Sequence, residues 1–302
     1  MVSLNKFNLS YIVSTRNRLP FLQITMQKLM EALQPDEEIV VVDGNSTDGS
    51  KEYLQQLFNA GSIHQFISEP DKNQAHGWNK ALLMAKGSII KKIIDDDVFC
   101  YPAINKCKQY MLQNADVDVV ISNDLGCSLT NHNNIQRSGR QPQFEKWKAG
   151  LTPTFTFGDV HMLIRRSALA YIGLYNTSFI MMDWEYSLRI SHSKSNICYF
   201  TGYNALSVSH PQTVSALKNS DTISAQGKKA AVLYDYAGDD AEISLWSKIK
   251  IFIGKRIYRS DSKSGDITEN NLPDIQTIYN SLYGYINELN KRKEALFIES
   301  HK

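Results

Sequence analysis

Four short runs rich in β-branched residues, separated by three stretches of helical spacing, constrain the first hundred residues more than any other feature. The runs lie in "SYIVST" (10–15), "EEIVVVDGNSTDGS" (37–50), "IHQFISEP" (63–70) and "GSIIKKIIDDDVF" (87–99). Between them, "PFLQITMQKLMEAL" (20–33) repeats apolar residues at Leu22, Met26, Leu29, Met30 and Leu33, and Pro20 suits a first helical turn. "SKEYLQQLF" (50–58) reads as a helix capped by Ser50, and "NQAHGWNKALLMAKG" (73–87) as a helix ending at Gly87. The isoleucines of 89–94 also fit one helical face, but shortness, β-branching and the preceding glycine favour a strand. The order β-α-β-α-β-α-β predicts a mostly parallel α/β sheet with helices on both faces.

Ligands of such sheets bind beyond the carboxyl ends of the strands. Those ends are Thr15–Arg18, Asp43–Gly49, Glu69–Lys72 and Asp95–Asp97, and three of the four carry carboxylates. The triple Asp95, Asp96 and Asp97 is the most unusual, because adjacent carboxylates disfavour one another's ionisation. A solvated acidic turn tolerates that crowding; a hard divalent cation makes use of it.

Composition narrows the chemistry. The 302 residues suit one large domain, or one domain with an extension, and 42% hydrophobic with 21% charged residues is ordinary for a soluble globular chain. A net charge of +2 gives no push toward nucleic acid. The cysteines at 100, 107, 127 and 198 lack zinc spacing and are expected as free thiols. With no apolar signal core at the N-terminus and no run near the roughly 20 apolar residues of a span, a cytoplasmic location is expected. The glycine-rich dinucleotide fingerprint and the phosphate loop are both absent, which disfavours a nicotinamide dehydrogenase or a P-loop kinase. A nucleotide bound here needs its phosphates neutralised by other means, and a metal held by Asp95–Asp97 supplies one.

The second half is less regular. "VDVVIS" (117–122) reads as a strand, 123–143 as a polar loop, 159–173 as an extended segment leading into a helix, "MMDWEYSLRIS" (181–191) as a helix and "ALSVSH" (205–210) as a last strand. From about 215 the character changes to long helical segments and polar linkers. The expected organisation is a catalytic domain over 1–215 and a helical extension over 216–302.

Taken in order, these pieces resemble the inverting family 2 glycosyltransferases of the GT-A fold over roughly residues 8 to 215. "VSTRNRLPFLQITMQKL" is similar to the family's opening strand, Asn-Arg turn and first helix. "IVVVDGNSTDGS" is similar to its second strand, which ends in an Asp that contacts the nucleobase. "SEPDKNQAHGWNKALLMAKGSIIKKIIDDD" is similar to its run from Pro-Asp through Asn-Lys to the metal-binding Asp motif, and "MDWEYSLRI" to the later acidic motif that supplies the base. There are departures: the family often has a second aspartate where Gly44 follows Asp43, an acid where His76 stands, and Glu where Met182 precedes Asp183.

The resemblance implies a nucleotide-sugar donor, a glycan or lipid-linked acceptor, and Mn²⁺ or Mg²⁺. It implies Asp183 as catalytic base, Asp43 on the base or ribose, and a metal site at Asp95 and Asp97 or at Asp96 and Asp97. His210 reads as a metal or phosphate contact, or as a structural histidine. Thr15 and Arg18 are expected near the nucleotide, although Arg16 and Arg18 read equally as exposed ion-pairing residues. Asp71 and Gln74 read as donor contacts or as caps, and Asp48 as a turn or cap residue. Asp183 and Glu185 are two residues apart, so only one faces a pocket; an Asp183–Arg189 ion pair is the structural alternative. His161 and Trp184 line the acceptor side or pack in the core. The other readings of the chain are a nucleotidyltransferase and a non-catalytic carbohydrate- or membrane-binding protein on the same fold.

Two later segments carry no chemistry of their own. "SLWSKIKIFIGKRIYRS" (244–260) joins five cations to an apolar stripe and reads as a packed helix or as an in-plane helix on an anionic membrane. "PDIQTIYNSLYGYINELNKRKEAL" (273–296) carries Ile275, Ile278, Leu282, Ile286 and Leu289 on one face, for domain packing or a homodimer contact.

Overall fold

The computed structural model describes residues 7–210, 220–236, 238, 274–292 and 294–300. The basic apolar segment 244–260 lies outside the described residues. The first half follows the predicted alternation: β1 (Leu9–Thr15), α1 (Leu19–Ala32), β2 (Glu37–Asp43), α2 (Ser50–Asn59), β3 (Gln65–Ser68), α3 (Gln74–Met84) and β4 (Ile89–Ile93). The four strands are parallel in the order β4-β1-β2-β3. Alternate residues serve two cores, Leu9, Tyr11 and Val13 on one face and Ile12 on the other. Burial on both faces is why these strands read as continuous apolar runs.

The chain then leaves this sheet through Asp95–Asp97 and enters a smaller one at β5 (Val98–Phe99). After α4 (Tyr101–Gln113), β6 (Val119–Ser122) returns to the large sheet. The segment expected as a polar loop is instead a hairpin, β7 (Asp124–Ser128) and β8 (Asn131–Ser138), paired antiparallel in the small sheet. Only one neighbour covers β8 and it is mostly exposed, so its polar sequence hides the strand.

Next come α5 (Gln141–Lys148), β9 (Met162–Arg165), α6 (Leu169–Ile172), α7 (Met182–His192), β10 (Ile197–Phe200) and β11 (Ala205–Ser209). β9 runs antiparallel between β4 and β6. β11 lies between β5 and β7 in the small sheet. After α8 (Ser220–Leu233), α9 (Ile275–Lys291) buries Ile278, Tyr279, Leu282, Tyr283 and Ile286 in the same core as β1 and α1, and β12 (Phe297–Glu299) pairs antiparallel with β10. The described residues after 215 thus contribute a helix and an edge strand to the same core and sheet as the residues before it. All four cysteines are buried and free. Among the described residues no helix is long and apolar enough to cross a membrane.

Candidate active site

A cavity of about 500 Å³ opens where the carboxyl ends of β1, β4 and β11 meet the starts of α3 and α7. This is the rim predicted from the strand order. Thr15, Arg18, Asp71, Gln74, Asp95, Asp96, Asp97 and Asp183 all line it. Asp43 and His210 do not appear on its wall.

The rim turns are locked before any ligand arrives. Asn17 and Asn45 take left-handed φ values of 54° and 63°, a conformation asparagine tolerates better than most residues. Asn17 Oδ1 accepts from Thr47 N–H and its own N–H donates to Ser46 Oγ, both at 2.8 Å, so the turns after β1 and β2 hold each other. Asp48 accepts from the N–H groups of Leu19 and Ser50 at 2.9 and 3.0 Å. It therefore serves the starts of both α1 and α2, whereas Ser50, the expected cap, is already the first residue of α2. Asn73, rather than Asp71 or Gln74, caps α3. Asp71 is held by Lys80 at 2.7 Å and lies against Gly77, where a Cβ would sit 2.4 Å from Ser14 Oγ and 2.6 Å from Asp71 Oδ2. Only glycine lets α3 approach β1 this closely.

The acidic triple is a built feature of the sheet-to-sheet turn. Its main chain is tied down by Thr25 Oγ1, which donates to the Asp95 carbonyl at 2.8 Å, and by Tyr279 O–H, which donates to the Asp96 carbonyl at 2.5 Å. Each carboxylate then has its own partner. Thr15 Oγ1 donates to Asp95 at 2.5 Å and the Val208 N–H to Asp97 at 2.7 Å. Asp96 Oδ2 lies 2.9 Å from Arg18 and 2.8 Å from His210 Nε2, which stacks on Phe21 at 5.0 Å. All three aspartates are buried. Burial, and next the charge of Asp96, push Asp95 up to about 7 and raise Asp97 as well.

That electrostatic crowding fits a cation. Among the described residues no three His, Cys, Asp or Glu side chains gather as a metal cage. Mg²⁺ is usually held by only one or two protein carboxylates, as many as Asp95 and Asp97 supply. His210 is a poor first ligand as placed, since its Nε2 is already committed between Asp96 and Arg18. Asp43 is likewise occupied: fully buried, it accepts from Ser46 N–H at 3.0 Å, from Ser68 Oγ at 2.6 Å and from Ser46 Oγ. Asp43 thereby caps the turn after β2 and ties it to the end of β3.

On the other wall α7 presents Asp183 from its first turn, where the helix dipole favours an anion. Glu185, two residues on, turns away, buried and ion-paired to Arg189 at 2.7 Å, so it is Glu185 rather than Asp183 that takes this arginine. Burial, and next the charge of Asp159, raise Asp183 above the usual carboxylate range. Two further cavity residues, Lys92 and Asp159, were not singled out from the sequence. They form a buried ion pair at 2.6 Å, and Tyr175 O–H donates to the same Asp159 oxygen at 2.7 Å. The available signal was "IIKKI": two lysines inside a strand buried on both faces demand partners. His161 is buried 3.6 Å from Asp124, off the cavity wall, and Trp184 packs edge-on against Tyr236.

The sequence profile described as Glycosyl transferase family 2 matches residues 10–173, more than half of the chain. The chain belongs to glycosyl transferase family 2. The match covers β1 through α6 and so contains the acidic triple, Lys92 and Asp159, while Asp183 follows ten residues later. One relative, TuaG of Bacillus subtilis (strain 168), named provisionally as a teichuronic acid biosynthesis glycosyltransferase, is 28% identical over 105 residues, which are 34% of this chain and 42% of that protein. The chain therefore spans less than half the length of that relative. Among solved structures, S. aureus TarS 1-349 in complex with UDP-GlcNAc aligns with 95% of this chain and 82% of its own at TM-score 0.56 and 15% identity. A mannosyltransferase from Pyrobaculum calidifontis, PcManGT, in complex with GDP-Man and Mn²⁺ covers 94% of this chain and 86% of its own at TM-score 0.52 and 15% identity. These likenesses establish the GT-A fold of the family 2 enzymes.

Proposed function

We propose that this protein is a metal-dependent, inverting glycosyltransferase that moves a sugar from a nucleoside-diphosphate donor to an acceptor hydroxyl in the synthesis of a cell-surface polysaccharide. The observation that carries the reading is the meeting of the acidic triple and Asp183 in one cavity at the carboxyl ends of the sheet. Family membership, the relative named for teichuronic acid synthesis, and fold neighbours solved with UDP-GlcNAc or with GDP-Man and Mn²⁺ support it.

Asp95 and Asp97 are the residues that would hold Mn²⁺ or Mg²⁺. The cation, when bound, offsets negative charge on the donor diphosphate and on the departing nucleotide. Asp96 stays with Arg18 and His210 and orients its neighbours, and Arg18, at the cavity wall, also faces the phosphates. Thr15, Asp71 and Gln74 border the nucleotide. Asp183 accepts the proton of the acceptor hydroxyl as that oxygen forms its bond to the anomeric carbon and the bond to the nucleotide oxygen breaks. One displacement from the far face inverts the anomeric configuration, and no covalent sugar–carboxylate intermediate is required. A carboxylate raised by burial is better suited to take that proton near neutral pH than an exposed one.

The test is a thermal-shift and turnover screen of UDP-, GDP- and dTDP-sugars with and without Mn²⁺, since a ligand bound only by the native state raises its melting temperature. Metal-dependent stabilisation and sugar release are expected. Pyrophosphate exchange in place of sugar release would make the protein a nucleotidyltransferase, and binding without turnover a carbohydrate-binding member of the fold.

A further inference from the structure

We propose that the buried Lys92–Asp159 pair is the positioning device that sets the proton affinity of Asp183, an inference that rests on Asp183 being the base. Lys92 projects from β4 toward α3 and α7. Its Nζ lies 2.6 Å from Asp159 Oδ2, 4.4 Å over the Trp78 ring and 5.4 Å over the Tyr175 ring. Tyr175 fixes the pair by its hydrogen bond to Asp159 and packs at 4.4 Å on Tyr186. Tyr186 stands three residues after Asp183, on the same face of α7. Lys92, Asp159 and Asp183 all reach the cavity, and the proposed reaction otherwise leaves the first two without a task.

Burial of an ion pair is weak evidence for stability, because apolar replacements often do as well. Beside a base it has a chemical use. Asp159 favours a proton on Asp183, Lys92 opposes it, and the Tyr175 hydroxyl draws off part of the Asp159 charge. The remaining charged groups around this space are mostly paired elsewhere: Asp96 with Arg18 at the β4–β5 turn and Asp71 with Lys80 on α3, while Glu185 on α7 itself turns away and pairs with Arg189. Asp95 and Asp97 of that turn, Arg16 after β1 and Lys72 before α3 also border the cavity.

The test is the pH profile of kcat/KM, joined to a ¹³C titration of the Asp183 carboxyl, its signal identified by loss in Asp183→Asn. Asp159→Asn should move the acidic limb, and the carboxyl titration, to lower pH by about one pH unit, and Lys92→Gln to higher pH by a similar amount. The double variant should return close to wild type. Tyr175→Phe, the mildest change, should move the titration slightly upward. A purely structural pair would lower rates and leave the limb in place. Unmoved titrations in Asp159→Asn and Tyr175→Phe, or shifts of the same sign in Asp159→Asn and Lys92→Gln, would overturn the proposal. The carboxyl titration needs neither donor nor acceptor. Absence of sugar transfer by the wild type would therefore remove the functional reading and still leave the pair to be decided.

Discussion

Asp95–Asp97 and Asp183 reach one cavity from different halves of the chain, and their surroundings differ in kind. The triple sits among its own like charges, each carboxylate steadied by one hydroxyl, one backbone N–H or one Arg-His pair. Asp183 stands by a single anion that is itself neutralised by a lysine and enclosed by aromatic rings. Crowded buried carboxylates gain most from a cation, whereas a raised carboxylate with a compensated neighbour gains most from a proton. In the proposed reaction one wall would hold the donor phosphates and the other would take the proton.

Asp183→Asn should break this division most visibly. Turnover is expected to fall by about 10²–10⁴-fold while donor affinity stays within a few-fold, because general-base help acts on the chemical step. Near-normal turnover in single-turnover assays would remove Asp183 as base. Glu185 would not replace it readily, since its carboxylate is buried and held by Arg189.

The triple should give the converse result. Asp95→Asn with Asp97→Asn is expected to weaken Mn²⁺-dependent UDP binding by at least about 10–100-fold, the range that loss of an outer-shell partner alone commonly costs a metal site. The fold should survive, because amides can still accept from Thr15 Oγ1 and the Val208 N–H. Calorimetric titration of UDP with and without Mn²⁺ decides it; equal affinity in both proteins would return Asp95–Asp97 to an acidic turn.

The two walls were not equally legible in the sequence. The wall that carries the triple lies in β1 through β4, where strand, turn and helix follow one another locally and period and punctuation suffice. The triple announced itself by adjacency. Asp183 was separated from Glu185 by helical geometry, and the choice of residue came from the family resemblance. What stayed hidden was non-local. Lys92 and Asp159 are 67 positions apart, and no window of sequence shows that they meet. The β7–β8 hairpin was hidden because its outer strand is exposed and polar. The commitment of Asp43 to Ser68 becomes visible only when the ends of β2 and β3 are side by side, and that of His210 to Asp96 and Arg18 only when the ends of β11, β4 and β1 are.

Lys91 sharpens the contrast from behind the wall. It follows Ile90 on β4 as Lys92 follows it, but points to the opposite face, where its Nζ meets the carbonyls of Val160 and Met162, Asn204 Oδ1, and the Phe99 ring at 5.4 Å. With no carboxylate in that list, burial lowers it to about 7. The unfolded chain, with a lysine near 10.4, then binds more protons between about pH 7 and pH 10, so stability contributed at this site rises with pH across that window. Wild type should gain up to about 2 kcal/mol over Lys91→Met between pH 7 and pH 9 in denaturant melts. A pH-independent difference would mean that the carbonyls keep Lys91 fully charged.

The smallest expected effect tests how the two walls are joined. Asn73 caps α3 by accepting from His76 N–H at 3.1 Å, and its Nδ2 donates to the Thr177 carbonyl at 2.7 Å, on the loop that leads into α7. Asn73→Ala removes both and should cost about 1 kcal/mol, the usual worth of a cap. Asn73→Asp keeps the cap, since the two residues serve equally well there, but loses the donor to Thr177. If the cap dominates, Asp should recover most of the loss in urea melts. If Asp is as unstable as Ala, the link between α3 and the α7 loop is the larger contribution. The same Asp variant should then also raise KM for the acceptor more than for the donor, because the loop it releases belongs to the Asp183 wall.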